Sequence, residues 1–143
     1  MLLENLKNIS ELWKKEGLNL AKLLSPDEVK NAFTNLGILI SSEVVEVYSN
    51  LGGVIDWESD SVCFSFWTLE RVLEENGSNG ELTFFADFLI NSHLYGFKFE
   101  NENVSSIHIY YGENEIEKVA NSFDEFFEIY LANPGKLVLF ERE

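Results

Sequence analysis

Two histidines and an aspartate are the first residues to consider for chemistry. His93 and His108 lie on two segments whose apolar residues alternate, and Asp87 interrupts the apolar run of residues 84–90. Two imidazoles facing each other beside that carboxylate would form a metal site or the small-ligand site of an enzyme. Isolated histidines on strands are more often ordinary strand residues with satisfied rings, and we favour that interpretation. For Asp87 we likewise favour an exposed position near a strand end, or a carboxylate that caps a turn, over a role in holding a ligand or a partner's cation.

The single cysteine, Cys63, excludes an internal disulfide framework and any zinc cluster built on cysteines. Its apolar neighbours in an acidic chain predict a small buried core residue rather than a reactive thiolate. The sequence contains no phosphate loop, dinucleotide fingerprint, nucleophile elbow or His-Glu-x-x-His motif. We therefore expect no enzymatic activity, no catalytic residues, no cofactor and no bound metal.

An aromatic residue surrounded by acids follows the paired glycines Gly52 and Gly53. Aromatic side chains rimmed by charge are common anchors at protein interfaces, so this segment is a candidate partner-binding site. A solvated loop with the indole folded onto the core is an equally good interpretation. The candidate partner-binding residues are Asp56, Trp57, Glu58 and Asp60, with Asp87 added from the apolar run.

The composition places these residues in an acidic globular protein. The 143 residues are 45% apolar and 24% charged, which fits one folded domain spanning residues 1–143. The net charge of −15 excludes nucleic-acid binding through a basic groove and disfavours an anionic membrane surface. It favours a basic protein as the partner.

The compartment expected from the sequence is the cytoplasm. The first ten residues have neither a basic start nor a long apolar run, so they do not resemble a secretory signal. No stretch of eighteen apolar residues could span a bilayer.

Helical periodicity dominates both ends of the chain. Leucines, Ile9 and Trp13 in residues 2–16 have the spacing of one helix face, and Ser25 with Glu28 predicts a capping box at the start of a second helix. A third helix over residues 42–51 is preferred, although its valines also suit a strand. Shorter helices are expected over residues 69–76, capped by Thr68, and over residues 123–132, begun by a capping box of Ser122 and Glu125. The apolar stripe of the second of these helices is Phe123, Phe126, Phe127, Tyr130 and Leu131.

The middle of the chain changes to a period of two. Strands are expected at residues 62–67, 82–90, 93–100 and 106–111, with a further strand possible at 115–120. Short connections between sequential strands predict antiparallel pairing. The fold class is therefore α+β: one mainly antiparallel sheet of about four to six strands packed against N-terminal helices and a C-terminal helix.

The order of these motifs resembles that of the SUKH superfamily, the group of the Smi and Knr yeast regulators of cell-wall (glucan) synthesis. The resemblance covers residues 25–133, and no single motif decides it. Two departures stand out: Ser41 where the family usually has proline, and Leu51 where it has asparagine before the two glycines. The matching segments are Leu36–Ile40, Asn50–Gly53, Phe64–Leu73, Phe85–Phe97 and Val119–Phe127, the last similar to the family's Ser-Phe-x-Glu-Phe signature.

The resemblance implies an α+β fold and a protein-binding role, since the family has no established catalytic residues. Its bacterial members are described mostly as immunity proteins that neutralise polymorphic toxins, often nucleases. The first hypothesis is thus a bacterial immunity protein whose acidic surface is attracted to a basic toxin domain. A regulator of glucan synthesis is the second hypothesis, and an enzyme using His93, His108 and Asp87 is the third.

Overall fold

The chain was analysed as a computed structural model, which describes residues 2–55, 58–76, 82–89, 92–111 and 116–137. The helices within these ranges are α1 (Leu2–Lys15), α2 (Pro26–Asn35), α3 (Ser42–Asn50), α4 (Leu69–Glu75) and α5 (Phe123–Ala132), and a 3₁₀ turn covers Pro134–Leu137. The strands are β1 (Phe64–Phe66), β2 (Thr83–Phe88), β3 (His93–Phe99), β4 (Ser105–Tyr110) and β5 (Ile116–Ala120). The predicted loop at residues 77–80 and the turn at 112–114 lie outside the described residues. Of the apolar tail predicted at 137–140, the structure describes Leu137, which belongs to the 3₁₀ turn.

The strands form one antiparallel sheet in the order β1-β2-β3-β4-β5, which confirms the α+β class. Each strand pairs with its neighbour in sequence, as short connections require. Side chains alternate between the two faces, so Tyr95 and Phe97 on β3 and Ile107 and Ile109 on β4 share the buried face.

The C-terminal helix α5 covers the buried face of the sheet. Phe123, Phe126, Phe127 and Tyr130 are all buried, which confirms four residues of the predicted stripe, whereas Leu131 is half-buried. The Phe126 ring lies 5.5 Å from that of Phe85 on β2, within the range of favourable aromatic pairs. Helix α1 packs against α5, and its Trp13 indole donates a 2.8 Å hydrogen bond to the Tyr130 hydroxyl.

The apolar face of α1 is narrower than its leucines suggested. Leu6, Ile9 and Trp13 are buried, whereas Leu3 is 54% exposed and Leu12 37% exposed. At 100° per residue, these two leucines point about 90° to either side of the buried stripe. The prediction that all of the leucines share one buried face was therefore wrong.

The capping predictions were confirmed for α2 and for Thr68 at α4, and in part for α5. Ser25 and Glu28 form both halves of the capping box. At α5 the Ser122 hydroxyl accepts from the Glu125 amide, but the Glu125 carboxylate accepts from Asn121 rather than from the cap residue. Residues 42–50 form a helix, not the rival strand, although Ser41 makes no capping hydrogen bond with its side chain.

A buried carboxylate explains how α3 is held. Glu43 accepts backbone hydrogen bonds from Ser105 at the start of β4 and from Phe123 and Asp124 at the start of α5. The first amides of a helix lack partners within the helix, and its dipole favours a negative charge there. Glu43 thus ties three elements together at one point, an arrangement the sequence did not predict.

Candidate functional site

The two histidines do not share a face of the sheet. His108 lies opposite Gly96 on β3, whereas His93 lies two residues before Tyr95 and therefore on the side of the buried face. The carboxylate of Asp87 is occupied by other partners, described below. These three residues do not converge, so the metal or small-ligand site that would have favoured an enzyme is not formed by them. Among the residues that the structure describes, no group of three or more His, Cys, Asp or Glu side chains is placed to hold a metal ion.

Each histidine has its own local environment. Burial lowers the pKa of His93, whose ring lies 5.7 Å from that of Phe88. Its Nδ1 has no hydrogen-bond partner within the described part of the chain, so the expectation of a satisfied ring is not met there. His108 shares the Ser106 hydroxyl with Glu100, and burial followed by the charges of Lys98 and Lys118 lowers its pKa.

Cys63 is exposed, so the prediction of a buried core residue was wrong. It lies in a turn in which its amide donates to the Asp60 carbonyl, and its backbone φ is +69°. The left-handed region is rarely occupied by residues other than glycine. The turn also delays β1 until Phe64, whereas the sequence predicted a strand from Val62.

Asp60 is buried, although we expected it at an exposed acidic surface. One of its oxygens accepts hydrogen bonds from the amides of Val62 and Phe64, at 2.9 Å each, and the other accepts from the Tyr130 hydroxyl. Burial raises the pKa of Asp60, while these hydrogen bonds oppose the rise. Asp60 is 8% exposed, so it offers little surface for the partner contact predicted from the sequence.

Of the other three residues in the predicted acidic segment, the structure describes only Glu58. Asp56 and Trp57 lie outside the described residues. The half-buried Glu58 accepts a 3.2 Å hydrogen bond from the amide of Asn19. Of the four residues proposed from this segment, Glu58 is the one that the structure describes near the surface.

Asp87 is buried, so neither the exposed position nor the turn cap that we favoured is correct. It accepts a 2.7 Å hydrogen bond from the Trp67 indole and lies 3.4 Å from the guanidinium of Arg71 on α4. That guanidinium also stands 4.2 Å above the Trp67 ring, a favourable cation–π distance. Asp87 does hold a cation, but the cation belongs to its own chain.

Arg71, the cation of this pair, lines a cleft of about 440 Å³. This volume is within the roughly 300–1,000 Å³ typical of pockets that bind small ligands. The cleft lies between the α1–α2 connection, the segment after α3, and α4. Its apolar lining consists of Ala21, Leu24, Leu51, Val54, Ile55 and Leu69.

The paired glycines let three backbone segments meet beside this cleft. A Cβ on Gly52 would lie 1.9 Å from the Ala21 carbonyl oxygen, and one on Gly53 would lie 2.4 Å from the Trp67 carbonyl oxygen. Val54 then pairs with Leu20 on one side and donates to the Phe66 carbonyl on the other. Any side chain at these glycines would separate the segments that form the cleft.

The hydroxyl groups of the cleft are engaged within the fold. Thr68 Oγ1 accepts from the Arg71 amide as the cap of α4, and the Tyr48 hydroxyl donates a long, 3.5 Å hydrogen bond to the Trp67 carbonyl. Burial raises the pKa of Tyr48, which keeps the phenol protonated. These groups stabilise the walls of the cleft and are not arranged as a nucleophile beside a base.

The charged residues at the cleft are mainly acidic. Glu70 and Glu74 are exposed and lie four residues apart on one side of α4. Lys22 lies on the opposite connection, and Arg71 is compensated by Asp87. The cleft thus combines apolar and polar lining residues, and its free charge is negative, which suits an apolar group with a neighbouring cation.

Sequence reasoning identified the glycines and the capping threonine of this site but not the cleft itself. Its lining comes from segments more than fifty positions apart at their extremes, and no local pattern links Leu24 to Leu69. The paired glycines were the available signal, because two adjacent glycines outside a predicted hairpin indicate a close approach of backbones.

No protein-family model matches this chain, and no curated protein matches it significantly. Within the described residues, no helix is both long and apolar enough to cross a membrane.

Proposed function

We propose that this chain is a non-enzymatic protein-binding module of the SUKH type, and specifically a cytoplasmic bacterial immunity protein that neutralises a basic toxin domain. The motif order from Ser25 to Asn133 supports the family, and the α+β fold with a five-stranded antiparallel sheet is the architecture which that resemblance implies. A toxin is proposed as the partner because the family's bacterial members are described mostly as immunity proteins against toxins.

The observation that carries the binding role is the acidic-rimmed apolar cleft. Apolar residues form part of its lining, its Thr68 and Tyr48 hydroxyls form hydrogen bonds within the fold, and its free charge is negative. Such a surface favours binding a complementary protein rather than transforming a substrate.

The net charge supports a basic partner. At −15 the chain attracts cationic proteins over long distances, and a nuclease must present a cationic surface to its phosphate substrate. Long-range attraction raises the association rate more than it raises the affinity itself.

The genes beside the one encoding this chain provide the test. We expect a neighbouring gene to encode a secreted toxin domain of basic composition, and co-expression of the chain to protect cells from that toxin. Protection should require a direct complex of the two purified proteins. A neighbourhood without a toxin gene, or a toxin that still kills cells containing the folded chain, would contradict the immunity role.

A further inference from the structure

We propose that the cleft binds one large apolar side chain of the partner protein, and that Glu70 and Glu74 bind a lysine or arginine next to it in the partner. The inference rests on the proposed function, since it assigns the chemistry of the partner at the same site. It places the anchoring contact between the paired glycines and α4, whereas the sequence suggested the acidic segment that follows the glycines.

The apolar part of this inference comes from the lining. Apolar residues from three separate segments, represented by Leu24, Val54 and Leu69, line a common space of about 440 Å³. A buried aromatic side chain removes about 150–250 Å² of surface from water, and residues of this kind dominate interface energetics. One such side chain matches both the size and the chemistry of the cleft.

The charged part comes from the spacing of Glu70 and Glu74. Like charges four residues apart on a helix repel each other, and both residues are exposed. The cations lining the same cleft are Lys22 and Arg71, and Arg71 already faces Asp87. A cation from the partner would relieve the repulsion and pair with two carboxylates at once.

Charge also selects the occupant. A second copy of this chain carries the same −15 net charge and would be repelled at an acidic rim. A protein that presents an apolar side chain beside lysine or arginine satisfies both parts of the site.

The test uses three capped tripeptides as probes: Lys-Trp-Lys, Glu-Trp-Glu and Lys-Gly-Lys. Each is titrated into the full ¹⁵N-labelled chain while backbone amide shifts are recorded. We expect Lys-Trp-Lys to shift the amides of residues 51–55 and 68–74 saturably, and to bind at least about threefold more tightly than Glu-Trp-Glu at low salt. Lys-Gly-Lys lacks the anchor and should leave the amides of Leu51 and Val54 unshifted.

Two variants separate the charged and apolar contributions. Glu70→Gln combined with Glu74→Gln should reduce the preference for Lys-Trp-Lys to less than twofold, whereas the matched pair Glu11→Gln and Glu128→Gln, on exposed positions outside the cleft, should retain it. Ala21→Phe should fill the cleft and abolish the shifts of both tryptophan peptides. Because Ala21→Phe could disturb the fold, its amide spectrum is recorded first. If this variant is unfolded, the two glutamine pairs alone test the inference.

The inference is overturned if tryptophan peptides shift amides elsewhere but not in the cleft, or if the glutamine variant at Glu70 and Glu74 leaves the preference unchanged. A toxin complex that forms equally well with the cleft variants would overturn the inference alone and leave the proposed function intact. Absence of any toxin complex with the unmodified chain would instead contradict the proposed function.

Discussion

The Tyr130 hydroxyl donates a hydrogen bond to the buried carboxylate of Asp60, and through it α5 is linked to the turn before β1. The same hydroxyl accepts a hydrogen bond from the Trp13 indole. Three side chains that are distant in sequence therefore form one buried hydrogen-bond network. Buried polar groups are costly unless they are satisfied, and this carboxylate has donors for both of its oxygens.

The first prediction is a pH dependence caused by Asp60. Because burial raises its pKa in the folded state, the folded protein holds this proton more tightly than the unfolded chain. The stabilisation is complete below the unfolded pKa of about 3.9 and is lost as the pH rises through the folded value. The free energy of unfolding of the wild type minus that of Asp60→Asn should therefore be larger at pH 4 than at pH 7.

Urea unfolding at several pH values measures that difference. Glu11→Gln removes an equal charge from an exposed position and shows the general effect of net charge. A difference between the wild type and Asp60→Asn that decreases on acidification would show that burial does not control this carboxylate.

The second prediction concerns the Asp87–Arg71 pair beside the cleft. Removing one partner of a buried ion pair leaves an uncompensated charge, so Asp87→Ala and Arg71→Ala should each cost about 3–5 kcal/mol. Asp87→Ala also removes the acceptor of the Trp67 indole. The double variant should cost less than the two single changes together, because the residues are in contact. Strictly additive costs in chemical denaturation would mean that the pair contributes no coupling.

The third prediction concerns the packing of α5. Phe126 is fully buried, and truncating a buried phenylalanine to alanine costs about 3–5 kcal/mol. Phe126→Ala should lower the melting temperature by roughly 10 °C or more. Leu3→Ala, an apolar truncation at an exposed helical position, should change the stability by less than about 0.5 kcal/mol. A melting temperature within about 2 °C of wild type for Phe126→Ala would contradict the burial of this face.

The fourth prediction follows from the left-handed backbone of Cys63. A residue with a Cβ loses about 1–2 kcal/mol in that region, while glycine costs about 0.5–1 kcal/mol through the entropy of the unfolded chain. Cys63→Gly should therefore raise the free energy of unfolding by up to about 1 kcal/mol. Cys63→Ala retains the Cβ and should give no such gain, so equal stability of the two variants would refute the explanation.

The sheet and α5 were predictable because their signals are local and periodic. Apolar residues alternate at residues 93–99 and 105–110, and phenylalanines recur at helical spacing after Ser122. These patterns indicate which face of each element is buried without information from distant residues. Leu3 and Leu12 were misjudged because a count of leucines does not include their angular positions, which lie about 90° to either side of the buried stripe.

The buried carboxylates could not be predicted in this way. Asp and Glu are usually exposed, so Asp60 within an acidic segment suggested solvent. The partners that make burial tolerable are distant in sequence: Tyr130 for Asp60, and Ser105 and Phe123 for Glu43. The cleft was missed for the same reason, since it exists only after the paired glycines bring separate segments together.

The most direct test of the proposed immunity role is to mix this chain with a basic toxin domain found encoded beside its gene, and to measure association by stopped-flow mixing and inhibition of the toxin. The proposal predicts a one-to-one complex that abolishes toxin activity, with an association rate that falls about tenfold or more between low salt and 0.5 M salt. Failure of the folded chain to bind or inhibit that toxin, or an association rate that does not change with salt, would contradict it.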